Sequence, residues 1–554
     1  MKNAVCMMGL PLIAVLCAAL GAPERLAAAN PEPAPSKECR LIINWDQQNM
    51  WALQLTYAHR RKTPDPVAVK AMLEDIVDEH AKAKVDRIVH CVFAMPRGTV
   101  GPGFRTFQRQ PDTGYRVYED TETGIRQLEA SGQDLMRILL DRSHQKGMQF
   151  LAGLRMNDRH GGSATQPFSR EHPEWRLEGF SGGGMDYKYE GVRKAVLAFT
   201  EEFLDRYDVD GVELDWMRWC HVFKPSEAVE NAPLLTGFMV EMRKILDRAA
   251  RKRGRRNLIL GVRIPQTLEE CRSLGFDVKT WIHRGLVDYI CPSDFFHTDF
   301  NIRTEDFVRL TKGTRCKVFP SIHPWIARGN DFNVHSEKSY RAAANNYYAY
   351  GADGISAYNY QYHWRTDIGP ETEWPRVMSY LTGLRNRKDV AAGERRYMYH
   401  PIWPNGAPTG ARNYDLIRLN RTDATPRGSL RLRVAENLKS ATMEFKVTGM
   451  VESDEIEVEW NGRMIPAGRI SRVYVPGGQS AKQGRALPAF YLYRMLLSAP
   501  PARFGDNELE VRLKKSAGQE TLVVQEMEIA VPGGRSAELP RTRGALSAPA
   551  VPVL

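Results

Sequence analysis

The stretch Tyr207-Asp-Val-Asp-Gly-Val-Glu-Leu-Asp-Trp-Met-Arg218 decides the fold. Its residues alternate as in a short buried strand. Val212, Leu214 and Trp216 share one face, and Val209, Gly211, Glu213 and Asp215 share the other. Acidic residues on a buried face of an ordinary sheet are expensive to ionise. In a closed barrel of parallel strands the same inner face leads to the C-terminal rim, where functional groups gather. Asp215, the last inward residue, is expected at the mouth, with Glu213 one layer below it. A salt-bridged or helix-capping Asp at a strand end is the competing account of the same pattern.

Outward from this strand, seven more β-rich runs recur: Leu41–Asp46, Val85–Phe93, Met148–Asn157, Asn257–Pro265, Val287–Ser293, Lys317–His323 and Gly354–Tyr360. Between several of them lie segments with apolar residues at i, i+3 and i+4: Val67–Ala83, Gly132–Lys146, Val192–Arg206, Leu234–Arg251, Val278–Arg284 and Glu337–Tyr350. Eight βα units over about 350 residues predict an α/β chain, a (β/α)8 TIM barrel with enlarged loops. After Glu373–Arg387 and a charged link the pattern changes to short alternating strands. These are Ser429–Val434, Ala441–Val447, Glu455–Trp460, Ala489–Leu496, Asn507–Leu513 and Thr521–Ala530, with turn signals such as Asn461-Gly462 between them. They predict a smaller all-β sandwich.

A chain of 554 residues has room for both domains. Met1-Lys2 and the apolar run Ala4–Leu20 resemble a secretory signal peptide, with small residues for cleavage near Ala29. The run is too short for a membrane span, so export is expected and stable membrane insertion is not. The expected organisation is therefore a signal peptide over 1–29, a linker over 30–38, the barrel over 39–388, the sandwich over 397–532 and a disordered tail over 533–554. The sequence leaves the oligomeric state open.

The formal charge of +11 permits an acidic partner. Its densest cluster, Arg251-Lys-Arg-Gly-Arg-Arg256, precedes a strand and so belongs to the N-terminal face, opposite the active-site rim. It reads as solvated surface, and no nucleic-acid motif accompanies it. Six cysteines remain beyond the leader: Cys39, Cys91, Cys220, Cys271, Cys291 and Cys316. No pair has zinc-site or CxxC spacing. HExxH, His-x-His, EF-hand, phosphate-loop and dinucleotide patterns do not occur, so no metal or cofactor is expected.

Phe168-Ser-Arg-Glu-His-Pro-Glu-Trp175, Met185-Asp-Tyr187, Val192-Arg193 and the strand through Arg218 follow one another as in the glycosyl-hydrolase-like family 10 proteins, which the chain resembles over most of residues 40–385. The resemblance implies a TIM barrel acting on carbohydrate; it brings no established catalytic pair. The acidic strand of chitinase-like barrels would put its acid at Met217, and no Asn-Glu pair ends the fourth strand, so those mechanisms are not supported. Phe504-Gly-Asp-Asn-Glu-Leu-Glu-Val-Arg-Leu513 resembles late strands of the galactose-binding-like sandwiches attached to many glycosidases, a module that binds sugar or braces the barrel.

Glycoside hydrolysis uses two carboxyl groups converging from different strands. Asp215 is the first candidate. Asp294, at the end of Tyr289-Ile-Cys-Pro-Ser-Asp294, is its expected partner, a layout analogous to α-galactosidase-like barrels, with Glu213, Asp158 and Asp299 competing. Other strand ends supply candidate sugar-binding groups: Trp45 and Asp46, Asn157, Asp158 and His160, Arg218, Arg263, His323, and Tyr358 and Tyr360. Arg155 and Arg263 are expected to face inward, and a cation there can orient Asp215 or Glu213. Two functions follow: an exported glycosidase, or a catalytically silent barrel that binds glycan or serves as a scaffold.

Overall fold

The computed structural model describes residues 38–45, 66–95, 98–99, 128, 130–158, 167–179, 184–295, 297–328, 331–334, 336–363, 375–400, 416–479 and 486–533. The expected signal peptide, most of the linker, the tail from 534, and Asp46 and His160 lie outside them. The described residues from Cys39 onward form one compact unit.

A curled parallel sheet is its first part. The strands are β1 (Leu41–Trp45), β2 (Arg87–Ala94), β3 (Gln149–Arg155), β4 (Gly211–Asp215), β5 (Ile259–Pro265) and β6 (Tyr289–Ser293). β7 comes in two pieces, Lys317–Val318 and Ser321–Ile322, and β8 is Ile355–Tyr358. Each pairs in parallel with its sequence neighbour, and β8 pairs with β1. The expected seventh strand was continuous. Instead its first piece pairs with β6 and its second with β8, and Phe319-Pro320 stands between them. Proline has no N–H to give the ladder, but its carbonyl still accepts the Ser356 amide at 3.1 Å.

Helices cover the outside. Their bounds are α1 (Pro66–Lys82), α2 (Leu135–Gln145), α3 (Glu190–Arg206), α4 (Ala232–Lys252), α5 (Val278–His283), α6 (Thr304–Thr311) and α7 (Glu337–Ala349). The stripe on α4 shows why they dock: Leu235, Phe238, Met239, Met242, Ile245 and Leu246 recur at helical spacing and are all buried. α2 starts where it does because the Asp134 carboxylate accepts the Met136 and Arg137 amides at 2.8 and 3.2 Å. Inside the curl, Ile42, Val89, Leu151, Tyr289, Cys291 and Phe319 form a second, separate core.

In the basic cluster at the end of α4, Arg251, Lys252 and Arg256 are exposed, while Arg253 and Arg255 are half-buried. Arg253 donates to the carbonyls of Leu204, Tyr207 and Val209, and Arg255 pairs with Asp208 at 2.7 Å and Asp210 at 3.2 Å. These bonds clamp the turn that feeds β4.

Two antiparallel sheets follow. In the first, β9 (Arg395–Tyr399), β18 (Leu522–Val531), β12 (Ala441–Thr448), β16 (Phe490–Leu497) and β15 (Ile470–Val475) are neighbours in that order, with β10 (Ile417–Leu419) also on β18. The second runs β11 (Arg427–Val434), β17 (Gly505–Lys515), β13 (Glu455–Trp460), β14 (Arg463–Met464). β9 begins inside the stretch expected to be a link, because the Arg395 guanidinium is buried against Glu436, with Nε 2.7 Å from Oε1. Arg433 joins the two parts. It forks onto Glu305 at 3.0 and 2.8 Å, reaches Asp506 at 2.9 Å and lies over the Tyr350 ring. Among the described residues the six cysteines are not joined to one another in disulfides.

Candidate active site

The alternation read from sequence sets the inward residues in two polar layers. Arg155, Asp215 and Arg263 are Cα partners across β3, β4 and β5, so their side chains stand side by side at the C-terminal end. One layer down, Gly153, Glu213 and Gly261 are partners in the same way. Gly261 has to be glycine: a Cβ there would lie 2.0 Å from Tyr289 Cζ. The space it leaves admits the Tyr289 ring, whose hydroxyl donates to Glu213 Oε2 at 2.7 Å. Asn44, from the opposite side of the curl, donates to Glu213 Oε1 at 2.7 Å. Burial pushes the Glu213 carboxyl up, and the Tyr289 hydrogen bond opposes that rise.

Arg263 organises the upper layer. Nη1 lies 2.7 Å from Asp215 Oδ1, Nε donates to Ser293 Oγ at 3.0 Å, and Nη2 donates to the carbonyls of Asp294 and Phe295 at 2.8 and 3.1 Å. Nη2 also lies 3.2 Å from His323 Nε2. Ser293 Oγ lies 2.9 Å from the same nitrogen. The Tyr358 ring packs flat beneath the cation, 3.7 Å from ring centre to Cζ, and its hydroxyl donates to Asp215 Oδ2 at 2.8 Å. Asp215 Oδ1 also accepts the Met217 amide at 3.0 Å. Among the described residues Oδ2 thus accepts one hydrogen bond and keeps a lone pair free. Asp215 and Arg263 are both buried.

The structure brings Asp215, Glu213, Arg263, His323 and Tyr358 together. Asp158 adjoins them, because its carboxylate accepts from Arg155 Nη1 at 3.1 Å and Arg155 is the register partner of Asp215. Asp294 is placed differently. Ser293, following Tyr289 and Cys291, takes the inward position, and Asp294 has the opposite parity. Its carboxylate accepts the His297 amide at 3.0 Å within its own loop, and only its carbonyl meets Arg263. Asp299 is engaged by Gln266 at 2.5 Å and the Asn301 amide at 2.7 Å.

Three candidate binding residues serve the framework instead. Trp45 is outward on β1 and donates to His80 Nε2 of α1 at 3.1 Å. Tyr360 lies among Tyr340 and His363 and donates to the Val377 carbonyl. Asn157 ties its loop to the Met185 amide and carbonyl and to the His221 carbonyl. The segments behind the family resemblance build the same wall: His172 stacks on Trp175 at 3.7 Å, and Arg193 holds the carbonyls of Tyr187 and Lys188. Arg218 is buried, with its guanidinium against the rings of Trp219 and Phe295. Sequence reading passed over Ser293, Trp219 and Phe295. Inward parity with Cys291 was the available signal for Ser293.

No protein-family model and no curated protein matches the chain. Among solved structures, the chain is similar to a noncanonic maltogenic α-amylase, AmyB, from Thermotoga neapolitana, at 12% identity and TM-score 0.35 over 88% of this chain and 98% of that one. It is also similar to the PgaB (BpsB) glycoside hydrolase domain from Bordetella bronchiseptica, at 11% identity and TM-score 0.38 over 63% of this chain and 99% of that one. A third likeness is to the α-galactosidase TtGalA from Thermus thermophilus, at 13% identity and TM-score 0.33 over 67% and 64%. Among the described residues no helix is long and apolar enough to cross a membrane, and no cluster of His, Cys, Asp and Glu is arranged to hold a metal ion.

Proposed function

We propose that the chain is an exported (β/α)8 glycoside hydrolase of the glycosyl-hydrolase-like family 10 kind, acting on an oligo- or polysaccharide, with Asp215 as its nucleophile. One observation carries this reading: the row Arg155–Asp215–Arg263 with Tyr358 beneath it occupies the top layer of the curl. Packing alone fills barrel layers with branched aliphatic residues. A buried ion pair is a weak stabiliser, because desolvating both charges offsets their attraction. A charged layer at the C-terminal end therefore has its rationale in chemistry.

In this mechanism Arg263 supplies the counter-charge and fixes Asp215, while the Tyr358 hydroxyl orients Oδ2, whose remaining lone pair attacks the anomeric carbon. The proton for the departing sugar oxygen comes from a second carboxyl. Arg155 ties Asp158 to the row of Asp215, which puts it ahead of Asp294 for that role; the Arg155 cation favours the charged form, so Asp158 must take up a proton from water before it donates one. Glu213 sits below, sequestered by Asn44 and Tyr289, and positions the layer above. The sandwich braces the barrel through Arg433 and its partners.

The test is hydrolysis of a polysaccharide panel by the full chain, with Asp215→Asn beside it. Turnover by the wild type that vanishes in the variant supports the enzyme. The engagement of both Asp215 oxygens by protein donors favours a second reading, a glycan-binding or scaffold barrel. Glycan binding without turnover by either protein would select it.

A further inference from the structure

We propose that Trp219 and Phe295 form an aromatic platform that stacks on a pyranose ring of the substrate glycan beside Asp215, an inference that rests on the carbohydrate reading of the site. Trp219 follows Asp215 by one turn of loop and has φ of 61°, a left-handed backbone that bulky residues rarely adopt. Such strain persists only when the surroundings impose it, and it clusters where side chains must be aimed. Arg218 and Phe295 are among those surroundings. The Arg218 guanidinium lies 5.1 Å from the centre of the Trp219 ring and 5.3 Å from that of Phe295, and the two rings meet edge to face at 5.3 Å. The cation braces both rings from the buried side.

The platform is fastened to the ion pair. Arg263 Nη2 donates to the Phe295 carbonyl at 3.1 Å while Nη1 of the same group holds Asp215. A ring stacked on the pair is therefore held in a fixed relation to the carboxylate. Exposure separates Trp219 from the core tryptophans Trp45, Trp216, Trp281 and Trp460, each 1% exposed or less; Trp219 and Phe295, like Trp175, remain partly open. A large ring left partly open in a strained loop at the mouth gains nothing for the core. It does offer a flat apolar face to the C–H face of a sugar.

The experiment is calorimetric titration of the full-length Asp215→Asn protein, which blocks turnover, with maltohexaose, cellohexaose, mannohexaose and chitohexaose. At least one should bind saturably. Adding Trp219→Gly, which accepts the positive φ and removes only the ring, should weaken that binding about tenfold. Trp219→Phe should stay within about threefold of the parent, since it keeps an aromatic face. Circular dichroism checks that each variant folds. Equal binding by Trp219→Gly, or no binding by any of the four, would overturn the platform. Wild-type hydrolysis separates the two ideas. Turnover with unchanged Trp219→Gly binding removes the platform alone, and ring-dependent binding without turnover removes the hydrolase alone.

Discussion

Arg263 and Asp215 face each other across adjacent parallel strands in perfect register, with Nη1 2.7 Å from Oδ1 and both side chains out of water. The pair joins strand order to chemistry. The β4–β5 ladder sets the two Cα positions, and the inward parity they share sets the contact.

Asp215→Asn should lower turnover by at least about a thousandfold with the fold intact, because amide and carboxylate are nearly isosteric. Initial rates on whichever polysaccharide the wild type cleaves provide the measure. Near-normal rates would remove Asp215 from the mechanism.

Asp158→Asn and Asp294→Asn separate the two candidates for the acid. Asp158→Asn should slow glycosides with poor leaving groups about a hundredfold or more and spare activated aryl glycosides, which need no proton. Asp294→Asn should leave turnover near the wild-type level, because its amide oxygen still accepts the His297 N–H. The reverse pattern would return the acid role to Asp294.

Arg263→Met should be costly, since it leaves Asp215 buried without its counter-charge: about 3–5 kcal/mol by chemical denaturation. Adding Asp215→Asn should recover part of that loss, because the remaining amide carries no charge. Additive losses would show that the pair is not coupled.

Glu213 predicts a pH effect. Burial raises its carboxyl above the ordinary 4.5, so the folded chain holds this proton more tightly than the unfolded chain. Its contribution to stability is complete below about 4.5 and is lost as pH rises through the raised value. Glu213→Gln cannot ionise and keeps an acceptor for Asn44, so its stability relative to wild type should climb across that window. Parallel denaturation midpoints from acid to neutral pH would contradict the assignment.

Arg433→Ala should lower the unfolding temperature and uncouple the two parts. It removes a fork onto Glu305 and the contact with Asp506 at once. Scanning calorimetry should change from one transition towards two; an unchanged single peak would mean the brace lies elsewhere.

Much of the candidate site is legible in the chain because strand alternation is a local property. Arg155, Glu213, Asp215, Arg263 and Tyr358 follow from counting residues along single strands, and so does the glycine at 261 that admits Tyr289. Counting on β6 also favours Ser293 over Asp294. The residue type, a carboxylate at a strand end, outweighed its parity in the reading, and the loop turned that carboxylate to the His297 amide. Trp45 failed for the same reason: its neighbour Asn44 has the inward place, and the indole finds its partner on a helix.

By itself, then, the sequence determined the strand-and-helix alternation, the polar inner face and the change to antiparallel strands after the parallel sheet, since each depends on periodicity and on turn residues near in the chain. Tertiary structure alone decided that one arginine would meet Asp215, Ser293 and His323 together, that Asn44 would cross the curl to Glu213, and that Trp219 and Phe295 would share a cation. Apart from Arg218 with its neighbour Trp219, those contacts join residues tens to hundreds of positions apart. Strand stagger and loop path set their distances, and neither is written in any local pattern.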